Sequence, residues 1–343
     1  MAPVRLAVVG AGVIGRRHIE HVLGEEDAAL AAVVDPSDAG RAFAAEKGAP
    51  WYPAFAAMLE AARPDGVIIA TPNHLHVAVG LEAVAAGIPA LVEKPIADDV
   101  AEATRLVEAA EAADVTLLTG HHRRHNPLIR AAKAAIEAGR LGRIVAVHGM
   151  CWFYKPDGYF EVEWRRQKGA GPVLMNMIHD VDLMRHLCGE VDEVQALESA
   201  AVRGFDVEDT AAVLLRFVNG ALGTFALSDA IVAPWSWELT SGENPAFHET
   251  GEACLWIGGT HGSLSIPALE LWQNEEARSW MEEVQRVRLP NEGADPLAMQ
   301  IRNFCGVIRG TETPVVSGRE GLETLRVVEA IKRAAASGRP VRV

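Results

Sequence analysis

Five short runs in the first 120 residues, LAVVG, ALAAVVD, GVIIAT, ALVEK and VTLLTG, are apolar throughout rather than at every second position, and alanine-rich stretches of helical period separate them. A strand that is apolar on both faces must be covered on both, and strand–helix–strand repeats supply that cover. The pattern predicts a Rossmann-type, doubly wound parallel sheet over residues 1–121. Beyond it, one helical stretch, PLIRAAKAAIEAG, precedes longer runs with two-residue alternation: RIVAVHGMCWF, DTAAVLLRF and GALGTFALSD. These predict a second, α+β domain over 122–343, built on a half-exposed, mostly antiparallel sheet flanked by helices. A chain of 343 residues suits about two domains.

Composition removes several partners. A net charge of −14 repels a phosphate backbone, and no basic run interleaved with aromatics offsets it, so nucleic acid is not an expected partner. No basic start leads into a cleavable apolar segment, and no run of about 18 uncharged apolar residues predicts a membrane span. A soluble, cytoplasmic protein is expected. The cysteines at 151, 188, 254 and 305 lack the short paired spacings of zinc or redox motifs and are expected as reduced core thiols.

The first strand runs into GAGVIG, residues 10–15, and Asp35 stands at the end of the next strand, 20 residues after Gly15. Gly10 permits a tight turn, Gly12 lets the backbone approach a pyrophosphate, and Gly15 lets helix and strand pack closely. With Val13 and Ile14 they open a helix whose N-terminus faces the anion. Asp35 is placed to bind a ribose 2′-hydroxyl and so favours NAD over NADP, although Arg16 and Arg17 are within reach of an extra phosphate. Two further motifs, TPNHLH (71–76) and EKP (93–95), fall where strands of this sheet should end, the side on which open α/β folds bind ligands.

GAGVIG, TPNHLH, EKP and a later segment, GPVLMNMIHDVD (171–182), occur in an order and at separations that resemble the Gfo/Idh/MocA family of NAD(P)-dependent oxidoreductases. The resemblance covers nearly the whole chain. It implies a Rossmann domain joined to an open-faced antiparallel sheet, with Lys94 and His179 flanking the nicotinamide. It also implies Thr71, Asn73, His76 and Glu93 on the cofactor, Trp164 and Arg165 of EWRR beside it, and a cis Lys94–Pro95 bond. Subunits that pair through the second sheet, as a homodimer or homotetramer, are implied as well, and the tryptophans at 235, 237, 256, 272 and 280 lie in or near that sheet.

The chemistry supports these roles independently. Oxidising a carbinol needs a base of suitable pKa and a cation facing the developing alkoxide. Histidine suits the first task and lysine the second. Lys94 follows a strand of the first domain and His179 belongs to the second, so the site is expected to form from both. With Pro172 in its first turn, a helix over about 172–187 would bring His179, Asp182 and His186 onto one stripe, with Asn176 about 60° from His179. Asp182, one turn after His179, is expected to orient it. The family helix commonly carries an acid four residues before the histidine; here that residue is Met175, and Asn176 is expected to bind a substrate hydroxyl instead.

In GHHRRHNP (120–127), Pro127 marks the start of a helix, which leaves the histidines in a loop with no acid among them. A metal is not expected there; His122 and Arg123 are expected to meet substrate, as is Tyr159 of KPDGYF, with Lys155 of the same segment as its alternative. The resulting expectation is an NAD-preferring dehydrogenase or reductase acting on a secondary alcohol or ketone of a small polyhydroxylated or cyclic substrate: a sugar, inositol, sugar acid or cyclic diol. The alternatives are an NAD-binding regulator without catalysis, which does not need both Lys94 and His179, and an NAD-dependent glycosidase.

Overall fold

The computed structural model describes residues 2–274 and 278–343. Contacts divide the chain into two units, Met1–His125 with Ala294–Leu325, and Asn126–Gly293 with Arg326–Val343.

In the first unit, strands β1 (Val4–Val9), β2 (Ala28–Val34), β3 (Trp51–Tyr52), β4 (Gly66–Ile69), β5 (Ala90–Val92) and β6 (Leu117–Thr119) form one sheet in the order β3-β2-β1-β4-β5-β6. All neighbours are parallel. The connecting helices are α1 (Val13–Gly24), α2 (Asp38–Glu46), α3 (Phe55–Ala61), α4 (His76–Ala85) and α5 (Val100–Ala112). Leu6, Val8, Ile68 and Leu91 are fully buried, as strands covered on both faces require. Short polar side chains open α2 and α5: the Ser37 hydroxyl accepts from the Gly40 amide at 3.0 Å, and the Asp99 carboxylate from the Glu102 amide at 2.9 Å.

The second unit carries β7 (Ile144–Trp152), β8 (Val191–Ser199), β9 (Thr210–Phe217), β10 (Leu222–Ser228), β11 (Leu255–Gly259), β12 (Gly262–Ile266), β13 (Glu270–Gln273), β14 (Gln285–Arg288) and β15 (Val341–Arg342). Its order is β14-β13-β12-β11-β7-β10-β9-β8-β15, antiparallel except for β7 beside β10. The alternation legible in the sequence is the burial pattern of β9, where every second residue from Ala211 to Phe217 is buried. Under the inner face pack Ile129 and Ala132 of α6 (Pro127–Glu137) and Ile178, Val181 and Met184 of α7 (Ile178–Cys188). The outer face leaves Leu197, Leu214 and Leu222 more than half exposed. The tryptophans divide: Trp256 and Trp272 lie on sheet strands, Trp237 is buried in the short α8 (Trp237–Thr240), and Trp280 is exposed.

The expected single cut after residue 121 differs from this division. The stretch from 294 returns to the first unit because Ile301, Phe304 and Cys305 of α9 (Pro296–Ile308) are buried against the cluster holding Leu6, Ile68 and Leu118. The chain crosses back within α10 (Gly318–Ser337), whose Val327 and Ile331 belong to the core of the second unit.

Candidate active-site elements

The glycine-rich loop is built as its sequence requires. Gly10 adopts φ +97°, and a Cβ on Gly15 would stand 1.9 Å from the Gly10 carbonyl oxygen, so the first turn of α1 can pack here only without a side chain. Above Gly12 there is open space, and Val13 is 87% exposed beside it. Asp35 closes the loop from β2: its Oδ2 accepts from the Ala11 amide at 2.7 Å, and its Oδ1 accepts from the Ser37 amide at 2.9 Å and the Ser37 hydroxyl at 2.5 Å. Burial alone would raise its pKa; these bonds and the charge of Arg16 outweigh burial and hold the carboxyl below its ordinary value. Arg16 is tied down, its Nε donating to the Ala11 carbonyl at 3.0 Å and its guanidinium lying 4.6 Å over the Phe43 ring.

The TPNHLH and EKP segments follow β4 and β5. Thr71 Oγ1 is buried without a protein partner, which is the kind of atom a bound cofactor satisfies. Asn73 is half-buried in a short 3₁₀ turn. His76 is otherwise engaged: its Nδ1 lies 2.8 Å from the Pro95 carbonyl and its Nε2 2.9 Å from the Thr71 carbonyl, so it clamps the two segments together and neither ring nitrogen faces outward. The Lys94–Pro95 bond is cis. Lys94 is half-buried.

Glu93 turns inward. Its Oε1 lies 2.7 Å from Nε2 of His18, a residue of α1 that is fully buried, and its Oε2 accepts the Lys94 backbone N–H at 3.1 Å. Burial would raise the Glu93 pKa, but the hydrogen bond and charge of His18, with the charges of His122 and Lys94, bring it down to about 2. Sequence reasoning missed His18; its partner is 75 residues away, and no local pattern announces the pair. His122 opens a single 3₁₀ turn, His122–His125, where a loop was expected, while Arg123 is buried in that turn. Pro127 then starts α6 as anticipated, with Asn126 as its N-cap.

In the second unit the expected straight helix over 172–187 is wound differently at its start. Val173–Met177 form a π-helical turn, and regular α-helix begins at Ile178. The reckoning of 100° per residue therefore fails upstream of Ile178, and the expected angle between Asn176 and His179 does not carry over. The turn is capped from a distance: Glu208 Oε1 accepts the Val173 amide at 3.0 Å, and Lys332 lies 2.7 Å from Glu208 Oε2. A Cβ on Gly171 would stand 2.1 Å from that carboxylate, so glycine is required for the approach. His179 and Asp182 are buried, at 7% and 1% exposure. Asn176 Oδ1 is buried without a protein partner.

Further groups gather after β7. Lys155 is buried, with Nζ 3.5 Å from Asp229 Oδ2 and 5.1 Å from the Tyr159 ring centre; burial, opposed by Asp229, lowers its pKa. Arg203 binds the other Asp229 oxygen at 2.9 Å. Arg165 lies 4.1 Å over Tyr159 and 5.6 Å from Trp164, which is 48% exposed. Burial raises the Tyr159 phenol pKa. Among the described residues, no three His, Cys, Asp or Glu side chains gather as metal ligands.

Two family models match the chain. "Oxidoreductase family, NAD-binding Rossmann fold" covers residues 4–121, and "GFO/IDH/MocA C-terminal domain" covers residues 129–265. The chain is 34% identical over 190 residues to the rhizopine catabolism protein MocA of Rhizobium meliloti, an alignment spanning 55% of this chain and 59% of that protein. It is 27% identical to the myo-inositol 2-dehydrogenase of Thermotoga maritima, over 99% of this chain and 98% of the relative. Among solved structures, the WlbA dehydrogenase of Bordetella pertussis, crystallised with NADH and UDP-GlcNAcA, superposes with a TM-score of 0.80 at 26% identity, covering 100% of this chain and 99% of that one.

Proposed function

Because this chain belongs to the GFO/IDH/MocA oxidoreductase family, whose N-terminal model is an NAD-binding Rossmann fold, we propose that it transfers a hydride between NAD and a secondary alcohol or ketone of a small polyhydroxylated or cyclic substrate. Bound at the glycine-rich loop and Asp35, the cofactor supplies the hydride acceptor, and the residues that would hold it fit: a tight turn closed by Gly10 and Gly15, open space above Gly12 and a Thr71 hydroxyl without a protein partner. His179 takes the hydroxyl proton as hydride leaves the carbinol carbon and returns it in reduction. Lys94 opposes the negative charge that grows on the same oxygen. Asp182 orients His179.

The observation that carries the substrate reading is Asn176. A buried acceptor without a partner costs about 1–3 kcal/mol, so Asn176 Oδ1, three residues before His179, is where a substrate hydroxyl donates. A neutral amide standing beside Met175 replaces the carboxylate expected in this helix and recognises a hydroxyl without demanding a charge. Tyr159, His122 and Arg123 are assigned to substrate, Trp164 and Arg165 to the cofactor's rim. NAD is preferred to NADP because Asp35 is ionised. The exposed Leu197, Leu214 and Leu222 support a homo-oligomer joined through the outer sheet face. Four buried cysteines suit the cytoplasm, and no described helix is long and apolar enough to cross a membrane.

The test is NAD reduction, followed at the nicotinamide absorbance, across inositols, aldoses, sugar acids and cyclic diols, with NADP in parallel and an aryl glycoside included. Oxidation of a polyol with NAD is the expected result. Release of the aryl alcohol without net NADH would instead indicate glycoside cleavage, and tight NAD binding with no turnover a regulator.

A further inference from the structure

We propose that His18 is a positioning residue for Lys94, acting through the Glu93 carboxylate; the proposal rests on the reading of Lys94 as the cation facing the reacting oxygen. One carboxylate joins two parts of the first unit. Its Oε1 is held by His18 of α1, 2.7 Å away, and its Oε2 by the backbone N–H of Lys94 itself, 3.1 Å away. Both side chains are buried, at 0% and 5% exposure, so water has little access to the contact between them. The carboxylate is also confined: a Cβ on Gly120 would meet it at 3.0 Å, which shows how closely the next strand's end approaches.

A buried ion pair can be mere core structure. Three features of this one point further. Its second bond goes to the residue that carries the proposed chemistry, it precedes that residue directly, and its histidine belongs to the helix whose N-terminus ends the glycine-rich loop. The helix that would receive the pyrophosphate thereby also fixes the backbone from which Lys94 projects. Turnover depends steeply on such placement, whereas the affinity for a dinucleotide held by the loop and Asp35 does not.

The full-length protein is tested as His18→Leu, His18→Gln, Glu93→Gln and Lys94→Ala. NADH affinity is read by fluorescence titration, and turnover on the panel compound that the wild type oxidises fastest. A substrate-free readout is the rate at which acetic anhydride acylates the Lys94 amine, measured by mass spectrometry. His18→Leu and Glu93→Gln should lower turnover about tenfold to a hundredfold and change Lys94 acylation about threefold or more, with the NADH dissociation constant within about threefold of wild type. His18→Gln, which keeps a donor for Glu93, should restore most of both. If His18→Leu fails to fold, Glu93→Gln, which keeps the shape but turns one of the two acceptor oxygens into a donor, decides the matter.

Near-wild-type turnover and acylation in Glu93→Gln, with Lys94→Ala inactive, would overturn this inference and leave the proposed function standing. Turnover and NADH affinity falling in parallel would also overturn it, by assigning the pair to cofactor binding. Lys94→Ala as active as wild type would remove the proposed role of Lys94 and this inference with it.

Discussion

Asp35→Asn tests the assignment of the cofactor by counting lone pairs. An ionised carboxylate offers about four acceptor sites. Three are taken inside the protein, by the Ala11 amide, the Ser37 amide and the Ser37 hydroxyl, which leaves about one for a ribose hydroxyl. A hydrogen bond to a charged group is worth about 1.5–3 kcal/mol, or roughly 10- to 150-fold in affinity. The amide also presents N–H to a neighbour that is itself a donor, either Ala11 or Ser37, so the loop is disturbed and the loss should lie toward the upper end of that range. For NADP the sign reverses, because the wild-type carboxylate opposes a 2′-phosphate by up to about 4 kcal/mol per unit charge at 4 Å and an effective dielectric of 20. Titration of NADH and NADPH fluorescence against both proteins should show NADH weakened at least about tenfold and NADPH unchanged or tightened. An NADH dissociation constant within about twofold of wild type would refute the reasoning, and so would an unmoved NADH-to-NADPH ratio.

Four other outcomes follow from the same geometry. Lys94→Ala and His179→Ala should each lower kcat by about a hundredfold or more in a steady-state assay while NADH binding persists. Gly15→Val should abolish NADH binding and lower the melting temperature, since even a Cβ there meets the Gly10 carbonyl; normal binding would show that the loop can shift. Glu93, with its pKa brought from 4.5 to about 2, contributes stability of about 3 kcal/mol that is present above pH 4.5 and lost as pH falls through about 2; urea midpoints measured from pH 7 downward should fall less steeply in Glu93→Gln. Leu214→Asp, on the outer sheet face, should shift the mass seen by light scattering toward the monomer, and an unaltered mass would move the interface elsewhere.

What the sequence disclosed was local or periodic. Continuous apolar runs specify a sheet covered on both faces, and GAGVIG with Asp35 specifies the loop that the structure shows tied by the Ala11–Asp35 bond. What it concealed depends on contacts between distant residues. The amphipathic pattern of α9 says that one face is buried but not against which core, so its return to the first unit was not legible. The π-helical start of the His179 helix is capped by Glu208, 35 residues beyond the amide it binds, and no local pattern announces that contact. The TPNHLH motif marked His76 as functional without revealing that two backbone carbonyls engage its ring, and EKP marked Glu93 without its partner His18. Residue type and spacing locate a reactive neighbourhood; which member faces the ligand and which supports the others is decided by tertiary packing.

Direct transfer of hydrogen between substrate carbon and nicotinamide is the central claim, and an isotope tests it most directly. The panel compound oxidised fastest would be prepared with deuterium on its carbinol carbon, turned over with NAD, and the NADH recovered for mass spectrometry. One deuterium per NADH formed is the predicted result. NADH without deuterium, or product formed without any NADH, would contradict the account.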